Sequence, residues 1–481
     1  MALGRREFLG EAVAGVVALA LPEESPPQAA ALSRRAARAL RASVRGPVFL
    51  PRTPGYNSRR LVYNTRFDGI RPDAVVLPRD TRDVQAVVRW ADRFDIRLVS
   101  RSGGHSYAGY STTDRGVVVD LRRLRGVRVS NGRATVGPAT PLIDVYSRLA
   151  RSGLLVPAGS CPSVGVAGLA LGGGHGLSGR RFGLTCDNLL AATIVTADGR
   201  ARRADPDTNE DLYWACQGGG GGNFGIVTSL TLQAHRTRGA AWFIIRFPWS
   251  QASEALAAWQ RFAPGAPPAL TSVFSLGTTG GAGDPSVTAA GQFYGPEARL
   301  RNLIGPLARV SGASVSAGTD TTMGLVRRWS GAGGRDRFRA KSDYFDEPLP
   351  RRARELMIEW IERRQRAPSQ GSGALLLDSY GGAVNRPRPG ATAFVHRDML
   401  FSCQYLTYYS GAGQAANQWI NGVWRALRPF VSGQAYQNYI DPQLDRWQRA
   451  YYGSNLERLR DIKAQVDPDF RFRFRQAIPP A

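Results

Sequence analysis

The chain has 481 residues, 43% of them hydrophobic and 9% aromatic, and it carries a formal net charge of +25. This length and composition allow two or three folded units with sizeable cores and exclude a disordered or fibrous protein. The excess charge is almost all arginine, spread along the chain in pairs such as Arg122 and Arg123, and no basic-aromatic recognition module accompanies it. We therefore expect no nucleic-acid partner; an arginine-biased composition or an anionic surface explains the charge more simply.

The N-terminus carries a twin arginine, Arg5 and Arg6, followed by Phe8, Leu9 and the apolar run AVAGVVALALP. That run is too short to stay in a bilayer as a spanning helix. The pattern is typical of a twin-arginine export signal, which a receptor reads and which is not an anchor. We expect residues 1–30 to be this signal, which predicts a secreted protein with the export machinery as a transient partner and no stable membrane anchor. A short surface helix is the alternative.

The four cysteines, at positions 161, 186, 216 and 403, include no C-x-x-C pair, and the four histidines show no metal-ligand spacing. We expect neither a metal site nor a disulfide framework.

Residues 31–63 are polar and rich in Pro and Arg, and we expect an irregular lead-in there. Over 64–238, short strands such as AVVLP and IRLVSRSGG alternate with helices such as DTRDVQAVVRWADRFD, for which Asp80 is placed as N-cap. LLAATIVTADGRARRA predicts a hairpin with an Asp-Gly turn. This region is therefore expected to be α+β with glycine loops at strand ends.

From residue 239 the pattern changes to longer strands and amphipathic helices. The expected strands are AAWFIIRFP, LTSVFSLGTTGG, SVTAAGQFYG, ALLLDSYGG and MLFSCQYLTYY, and the expected helices are SQASEALAAWQRFA and EARLRNLIGPLARV. They predict a second domain in which helices cover one face of a sheet.

Three glycine-rich loops stand out: SGGHS, GLALGGGHGLSG and GGGGGNFG. Glycine lets backbone N–H groups approach an anion closely, because no side chain blocks them. Gly174 to Gly179 formally match G-x-G-x-x-G but lack the βαβ context, and GGGGGNFG lacks the Lys-Ser/Thr of a P-loop. A large diphosphate cofactor held over several loops is the remaining interpretation.

Five segments, RSGGHSYAGYS, GSCPSVGVAGLALGGGHG, GLTCDNLLAATIVTADG, DLYWACQGGGGGNFGIV and AYQNYID, resemble the berberine-bridge-enzyme-like family of flavin oxidases, over about residues 64–480. The resemblance implies an α+β fold with a two-part FAD-binding domain of the vanillyl-alcohol-oxidase (PCMH) type at 64–238. It further implies a substrate domain at 239–430, an antiparallel sheet covered by helices, and a C-terminal segment at 431–481 that returns to the FAD domain.

The resemblance also implies FAD attached twice, to His105 through the 8α-methyl group and to Cys161 through C6. Imidazole and thiolate are side chains able to add to that electron-poor ring. The remaining residues implied to contact the cofactor are Arg101, Ser102, Gly103, Gly104, Ser106, Val164, Gly165, Val166, Gly168, Gly173, Gly174, Gly176, Asp187, Ile226, Val227, Asn438 and Tyr439. For Tyr439 and Tyr452, aromatic packing is the alternative, and His175 is expected to be structural.

For catalysis, the resemblance points to Tyr436 as the base that takes the substrate hydroxyl proton. A tyrosine, with its ordinary pKa near 10, needs a helper, for which Asp378 or Tyr380 is proposed. The same resemblance implies that a valine at position 164 is typical of relatives that react with dioxygen. The predicted activity is a secreted oxidase of alcohols or sugar hemiacetals that yields hydrogen peroxide. The alternatives are a tailoring enzyme for glycosylated or polycyclic metabolites, a flavin-carrying binding protein and a cationic surface-binding protein.

Overall fold

A computed structural model describes residues 32–280, 283–331, 334–368 and 371–481. Its helices are α1 (Arg34–Ser43), α2 (Tyr56–Arg59), α3 (Thr81–Phe94), α4 (Leu142–Ala150), α5 (Val166–Leu171), α6 (Gly179–Phe182), α7 (Glu210–Ala215), α8 (Ala252–Phe262), α9 (Glu297–Leu303), α10 (Gly305–Ala308), α11 (Thr322–Trp329), α12 (Arg351–Gln365), α13 (Gln414–Leu427), α14 (Trp447–Tyr452) and α15 (Leu456–Val466). Its strands are β1 (Val48–Phe49), β2 (Ala74–Val76), β3 (Leu98–Arg101), β4 (Val117–Asp120), β5 (Val127–Ser130), β6 (Arg133–Val136), β7 (Leu154–Leu155), β8 (Leu189–Val195), β9 (Ala201–Ala204), β10 (Ile226–Gln233), β11 (His235–Arg236), β12 (Gly239–Phe247), β13 (Leu270–Gly277), β14 (Ser286–Phe293), β15 (Ser314–Thr321), β16 (Phe338–Phe345), β17 (Ala374–Ser379) and β18 (Phe401–Tyr408).

Two sheets build the first part of the chain. A four-stranded sheet has the order β1-β2-β4-β3, parallel except for β1, and a five-stranded antiparallel sheet has the order β5-β6-β10-β8-β9. Helix α3 lies between them, because Val84 and Val87 share a core with residues of both sheets. Asp80 caps α3 by accepting the N–H of Asp83, as its sequence pattern predicts.

The expectation of an irregular lead-in is wrong for the described part of residues 31–63. Ala36 and Leu40, four residues apart on α1, are buried in the core that contains α3, and the indole of Trp90 donates to the Ala36 carbonyl at 3.0 Å. Strand β1 pairs with β2 at Val48 and Val76. The first sheet therefore begins before residue 64. The sequence did not predict this strand, because two residues are too few to show an alternating pattern.

The third sheet has seven antiparallel strands in the order β15-β12-β14-β13-β17-β18-β16. Alternating side chains on a strand face opposite sides of a sheet. Phe274, Leu377 and Cys403 are buried in one core with helices α8, α12 and α13. Asp378 and Gln404, the neighbours of two of these residues, line a cavity on the other face. The α+β architecture, with helices over one face of an antiparallel sheet, is confirmed.

The last segment returns to the first part of the chain. Leu459 and Ile462 of α15 join the core that contains Leu212 and Trp214 of α7. Lys463, buried in the same place, donates to the Asn223 carbonyl after the glycine-rich loop. The Tyr436 region is consequently carried back against the glycine loops.

The predicted export signal lies outside the described residues. Within the described ranges, no helix is both long and apolar enough to cross a lipid bilayer. In that same part of the chain, no three His, Cys, Asp or Glu side chains group closely enough to hold a metal ion.

Candidate active site

A cavity of about 960 Å³ separates the glycine loops from the open face of the seven-stranded sheet. A cavity of this size lies at the upper end of the range for sites that enclose a large organic ligand. The lining includes residues 220–222 of the loop GGGGGNFG, where Gly220 and Gly222 have φ near +89° and +84°. This backbone conformation is one that glycine adopts readily, and it leaves the loop without side chains against the cavity.

Two loops that carry predicted cofactor residues meet at a pair of glycines. A Cβ on Gly103 would lie 2.3 Å from the Gly165 nitrogen, and a Cβ on Gly165 would lie 2.0 Å from Ser102 Oγ. Only glycine fits on either side of such a contact. Because the loops touch here, His105 and Cys161 line the same cavity although 56 positions separate them in sequence.

His105 and Cys161 are joined by a shared neighbour, Ser163. Ser163 Oγ lies 3.1 Å from His105 Nε2 and 3.9 Å from Cys161 Sγ. The ring of Tyr63 stacks on the His105 imidazole with centroids 4.0 Å apart. Burial lowers the pKa of His105 to about 4, so the imidazole is neutral at pH 7 and keeps a lone pair on one nitrogen.

Tyr436 is buried, and its hydroxyl oxygen is surrounded by N–H donors. It accepts hydrogen bonds from the Gly174 backbone at 2.8 Å, from Asn438 Nδ2 at 2.9 Å and from the His175 backbone at 3.4 Å. Burial raises the pKa of Tyr436 to about 12, while these donors act to lower it. Donors aimed at one oxygen stabilise the negative charge that develops there when the phenol gives up its proton.

Asp378 and Tyr380, the two candidate helpers, lie in different places. Asp378 lines the cavity with its Oδ1 3.8 Å from His175 Nδ1, and burial raises the pKa of the carboxyl group. The pKa of His175 is lowered, also by burial. Tyr380 is buried behind His175, stacked on it at 5.1 Å, with its hydroxyl 3.0 Å from that of Tyr344. The carboxylate is therefore the helper that faces the cavity.

Most of the predicted cofactor residues surround this cavity. Those in its lining are Ser102, Gly103, Gly104, His105, Ser106, Cys161, Val164, Gly165, Gly168, Gly176, Val227, Asn438 and Tyr439. Val166, Gly173, Gly174 and Ile226 lie behind the lining; of these, Gly174 acts through its N–H on Tyr436.

Arg101 and Asp187 hold the fold together instead of facing the cavity. Arg101 forms a buried ion pair with Asp120 at 2.9 Å and donates to the carbonyls of residues 59–61. Asp187 accepts from the buried guanidinium of Arg397 at 2.6 and 3.0 Å and from the Leu184 N–H. Their charges are thus satisfied within the protein, and contact of these two residues with the cofactor stays a prediction.

Sequence reasoning missed several lining residues. Tyr107 stacks on Tyr439 with centroids 5.2 Å apart and accepts a hydrogen bond from Gln404 Nε2 at 2.9 Å. Tyr107 stands inside RSGGHSYAGYS, so its position in that segment was an available signal. Gln404 is a polar residue between the buried Cys403 and Tyr405 of strand β18, a pattern that often marks a buried functional face. Tyr63 lies in the segment expected to be irregular, where no pattern points to it.

The residues present fit a flavin dinucleotide. The glycine loops supply unobstructed backbone for a diphosphate, and the cavity holds a neutral imidazole, a thiol and a polarised phenol within one enclosure.

Comparison with known proteins agrees with this fit. Residues 72–205 match the family model described as FAD binding domain, and residues 435–479 match the model described as berberine and berberine like. An FAD-linked oxidoreductase of Bacillus subtilis, YgaK, is 34% identical over 440 residues, which are 89% of this chain and 95% of that protein. The chain belongs to the berberine-bridge-enzyme-like family of FAD-linked oxidoreductases.

Members of this family with named substrates are also similar to the chain. A chitooligosaccharide oxidase of Gibberella zeae is 31% identical over 87% of this chain and 89% of its own length. The structure of a xylooligosaccharide oxidase from Myceliophthora thermophila, in complex with xylobiose, superimposes with a TM-score of 0.84 at 28% identity, covering 93% of this chain and 99% of that one. The chain is thus an FAD-dependent oxidoreductase, as its sequence segments predict.

Proposed function

We propose that this family member oxidises an alcohol or a sugar hemiacetal to the carbonyl or lactone, with dioxygen as final electron acceptor and hydrogen peroxide as product. The observation that carries the proposal is the Tyr436 hydroxyl held by three N–H donors in a cavity that Asp378 also lines. The oligosaccharide oxidases among the relatives support a sugar substrate.

The two side chains divide the proton transfer between them. With a pKa near 12, Tyr436 is a neutral phenol at pH 7 and can accept a substrate proton only if its own proton leaves. The Asp378 carboxylate is the acceptor we assign to that proton, and the N–H donors hold the phenolate oxygen in place meanwhile. Bound FAD supplies the oxidation by accepting the hydride from the substrate carbon.

We also propose that His105 and Cys161 attach the flavin covalently. Their common place in the lining, the neutral imidazole and the neighbouring thiol support this. Val164 lines the same cavity and supports dioxygen as the oxidant, because its small side chain would leave space for dioxygen beside the flavin ring. We further propose that flavin attachment is completed before the protein is exported by the twin-arginine pathway. This proposal rests on the N-terminal sequence pattern.

The attachment is tested by denaturing the purified protein in acid and measuring the mass of the chain. The parent chain and the single variants His105→Ala and Cys161→Ala are expected to retain flavin, since one bond suffices. The double variant is expected to release it. Release of all flavin from the parent would contradict the attachment.

The reaction is tested with a panel of mono- and oligosaccharides, simple alcohols and glycosylated polycyclic compounds, read as peroxide formed. Turnover of oligosaccharides above the others supports the proposal. Preference for the polycyclic compounds would favour the tailoring activity. Absence of turnover with every compound would favour a binding protein.

A further inference from the structure

The hydroxyl group of Ser163 lies between the two side chains that we propose as flavin attachment points. Its oxygen is 3.1 Å from His105 Nε2 and 3.9 Å from Cys161 Sγ, the latter near the long limit for a hydrogen bond to sulfur. The loop that carries it is held by the contact of Gly103 with Gly165, and a Cβ on Gly103 would also lie 3.1 Å from the Ser163 carbonyl oxygen. The serine is thus held in a fixed place relative to both attachment points.

We propose that Ser163 is a positioning residue for covalent flavin attachment, serving both bonds through one hydroxyl group. This rests on the proposed bicovalent attachment. A serine hydroxyl has one hydrogen to donate and lone pairs to accept with. When it donates to the Cys161 sulfur, it holds in place the atom that acts as nucleophile. It must then accept from His105 Nε2–H, and this tautomer leaves the imidazole lone pair on Nδ1.

Both attachments balance with the same oxidant. At His105 a bond forms between nitrogen and the 8α carbon, that carbon loses one hydrogen and the imidazole loses its N–H proton. At Cys161 a bond forms between sulfur and C6, which likewise loses its hydrogen, and the thiol loses its proton. In each case two electrons and two protons pass to dioxygen and give hydrogen peroxide. Until its proton leaves, the imidazole carries positive charge, and Ser163 Oγ accepts the hydrogen bond from the charged Nε2–H.

The test uses full-length apoprotein from a flavin-starved host, to which FAD is added in air. Samples quenched in acid over time give the fraction of chains that carry flavin mass. The serine change is made separately in the Cys161→Ala and His105→Ala backgrounds, so that each bond is followed alone. Ser163→Ala is expected to slow both attachments about tenfold, the effect of about one hydrogen bond.

Two variants control for simple disruption of the loop. Ser163→Thr keeps a hydroxyl and is expected to attach flavin within about threefold of the parent rate. Ser160→Ala removes a hydroxyl from the same loop that makes no hydrogen bond with His105 or Cys161, and its rate is expected to match the parent. Non-covalent FAD affinity, measured before attachment, is expected to be equal in all of them.

A second measurement reports the tautomer directly. In apoprotein labelled with ¹⁵N-histidine, before flavin attaches and with His105→Gln used for assignment, the parent is expected to show a protonated Nε2 at His105. Ser163→Ala is expected to show a mixture of tautomers, which loss of packing alone would not produce.

The outcomes separate the two proposals. Equal attachment rates for parent and Ser163→Ala overturn the role of Ser163 while leaving bicovalent attachment intact. If Ser163→Ala slows the formation of just one of the two bonds, the proposal that one hydroxyl group serves both is overturned. Loss of flavin from the acid-denatured parent overturns the attachment itself, and the role of Ser163 with it.

Discussion

Burial moves the titratable side chains around the cavity toward their neutral forms. His105 has a lowered pKa and Asp378 and Tyr436 have raised ones, in each case mainly because the cavity disfavours charge. Each group keeps specific polar partners: a hydroxyl for His105, an imidazole for Asp378 and three N–H groups for Tyr436. These partners offset part of the cost of charging a buried group, which a proton transfer at Tyr436 or Asp378 requires.

Replacement of Tyr436 by Phe tests its role as the base. We expect the rate of flavin reduction by substrate to fall by about 10²- to 10⁴-fold, the range for loss of a general base, with FAD still attached. Anaerobic stopped-flow bleaching of the yellow chromophore measures this step alone. A reduction rate within threefold of the parent value would rule out the phenol as the base.

The proton-accepting role proposed for Asp378 predicts that activity is lost at acid pH. The carboxyl group must be ionised to accept the Tyr436 proton, so activity should fall as pH decreases through its folded pKa. Burial raises that pKa, which places the limb above the ordinary carboxyl value of 3.8. In Asp378→Asn the limb should disappear and the plateau rate should be lower. A pH profile of kcat/KM that keeps the same limb in this variant would assign it to another group.

Loops and strands explain why residues far apart in sequence lie close together around the cavity. The Gly103–Gly165 contact joins the loop after β3 to the loop before α5, and the two-residue alternation of β17 and β18 turns Asp378 and Gln404 toward them. The loops hold the two residues proposed for flavin attachment, and the sheet presents Asp378 and Gln404 to the same cavity. The candidate site therefore lies where the glycine loops and the seven-stranded sheet face each other.

Gly103→Ala tests the loop contact. The added methyl carbon would meet the Gly165 nitrogen at 2.3 Å, so backbone must move. We expect the free energy of unfolding to fall by about 1–3 kcal/mol, and the fraction of covalently attached flavin to fall with it. Chemical denaturation and acid-quenched mass measure the two effects. The matched control is Gly69→Ala, where a Cβ has nothing within 4 Å and a change of no more than about 0.5 kcal/mol is expected. Equal stability of the two variants would contradict a tight contact.

At the scale of the whole molecule, the cavity is the place where the parts of the chain converge. Its lining takes residues from the parallel sheet, from the glycine loops, from the seven-stranded sheet and from the returning C-terminal segment. A ligand that fills it contacts all four, and a ligand that binds only the folded state stabilises that state. Flavin is thus expected to stabilise the folded protein as well as to supply its chemistry.

Flavin removal from the His105→Ala/Cys161→Ala double variant tests this expectation, because binding there is reversible. Adding FAD at about a hundred times its Kd is expected to stabilise the folded state by roughly 2.7 kcal/mol, which raises Tm by about 3 °C in a chain of this length. Thermal unfolding followed by intrinsic fluorescence measures the shift. NAD, which has the diphosphate but no isoalloxazine, serves as control and should leave Tm unchanged. An FAD-independent Tm would contradict a cavity shared by the four parts.

Much of this molecule could be read from residue order because its signals are local. The cap at Asp80, the hairpin of β8 and β9, and the segments around His105, Cys161 and Tyr436 are all encoded within a few neighbouring positions. Such short patterns can be recognised in a sequence without knowing how the rest of the chain packs around them. It was sufficient to indicate the family, the cofactor and the α+β architecture.

Packing over long sequence distances decided the rest. Arg101 and Asp187 stand inside the recognised segments, yet buried partners at Asp120 and Arg397 turn their charges away from the cavity. Tyr380 is two residues from Asp378, and strand geometry sends it behind His175. Whether a polar side chain serves the fold or the site depends on which partner satisfies it when water is excluded, and only the folded chain supplies that partner.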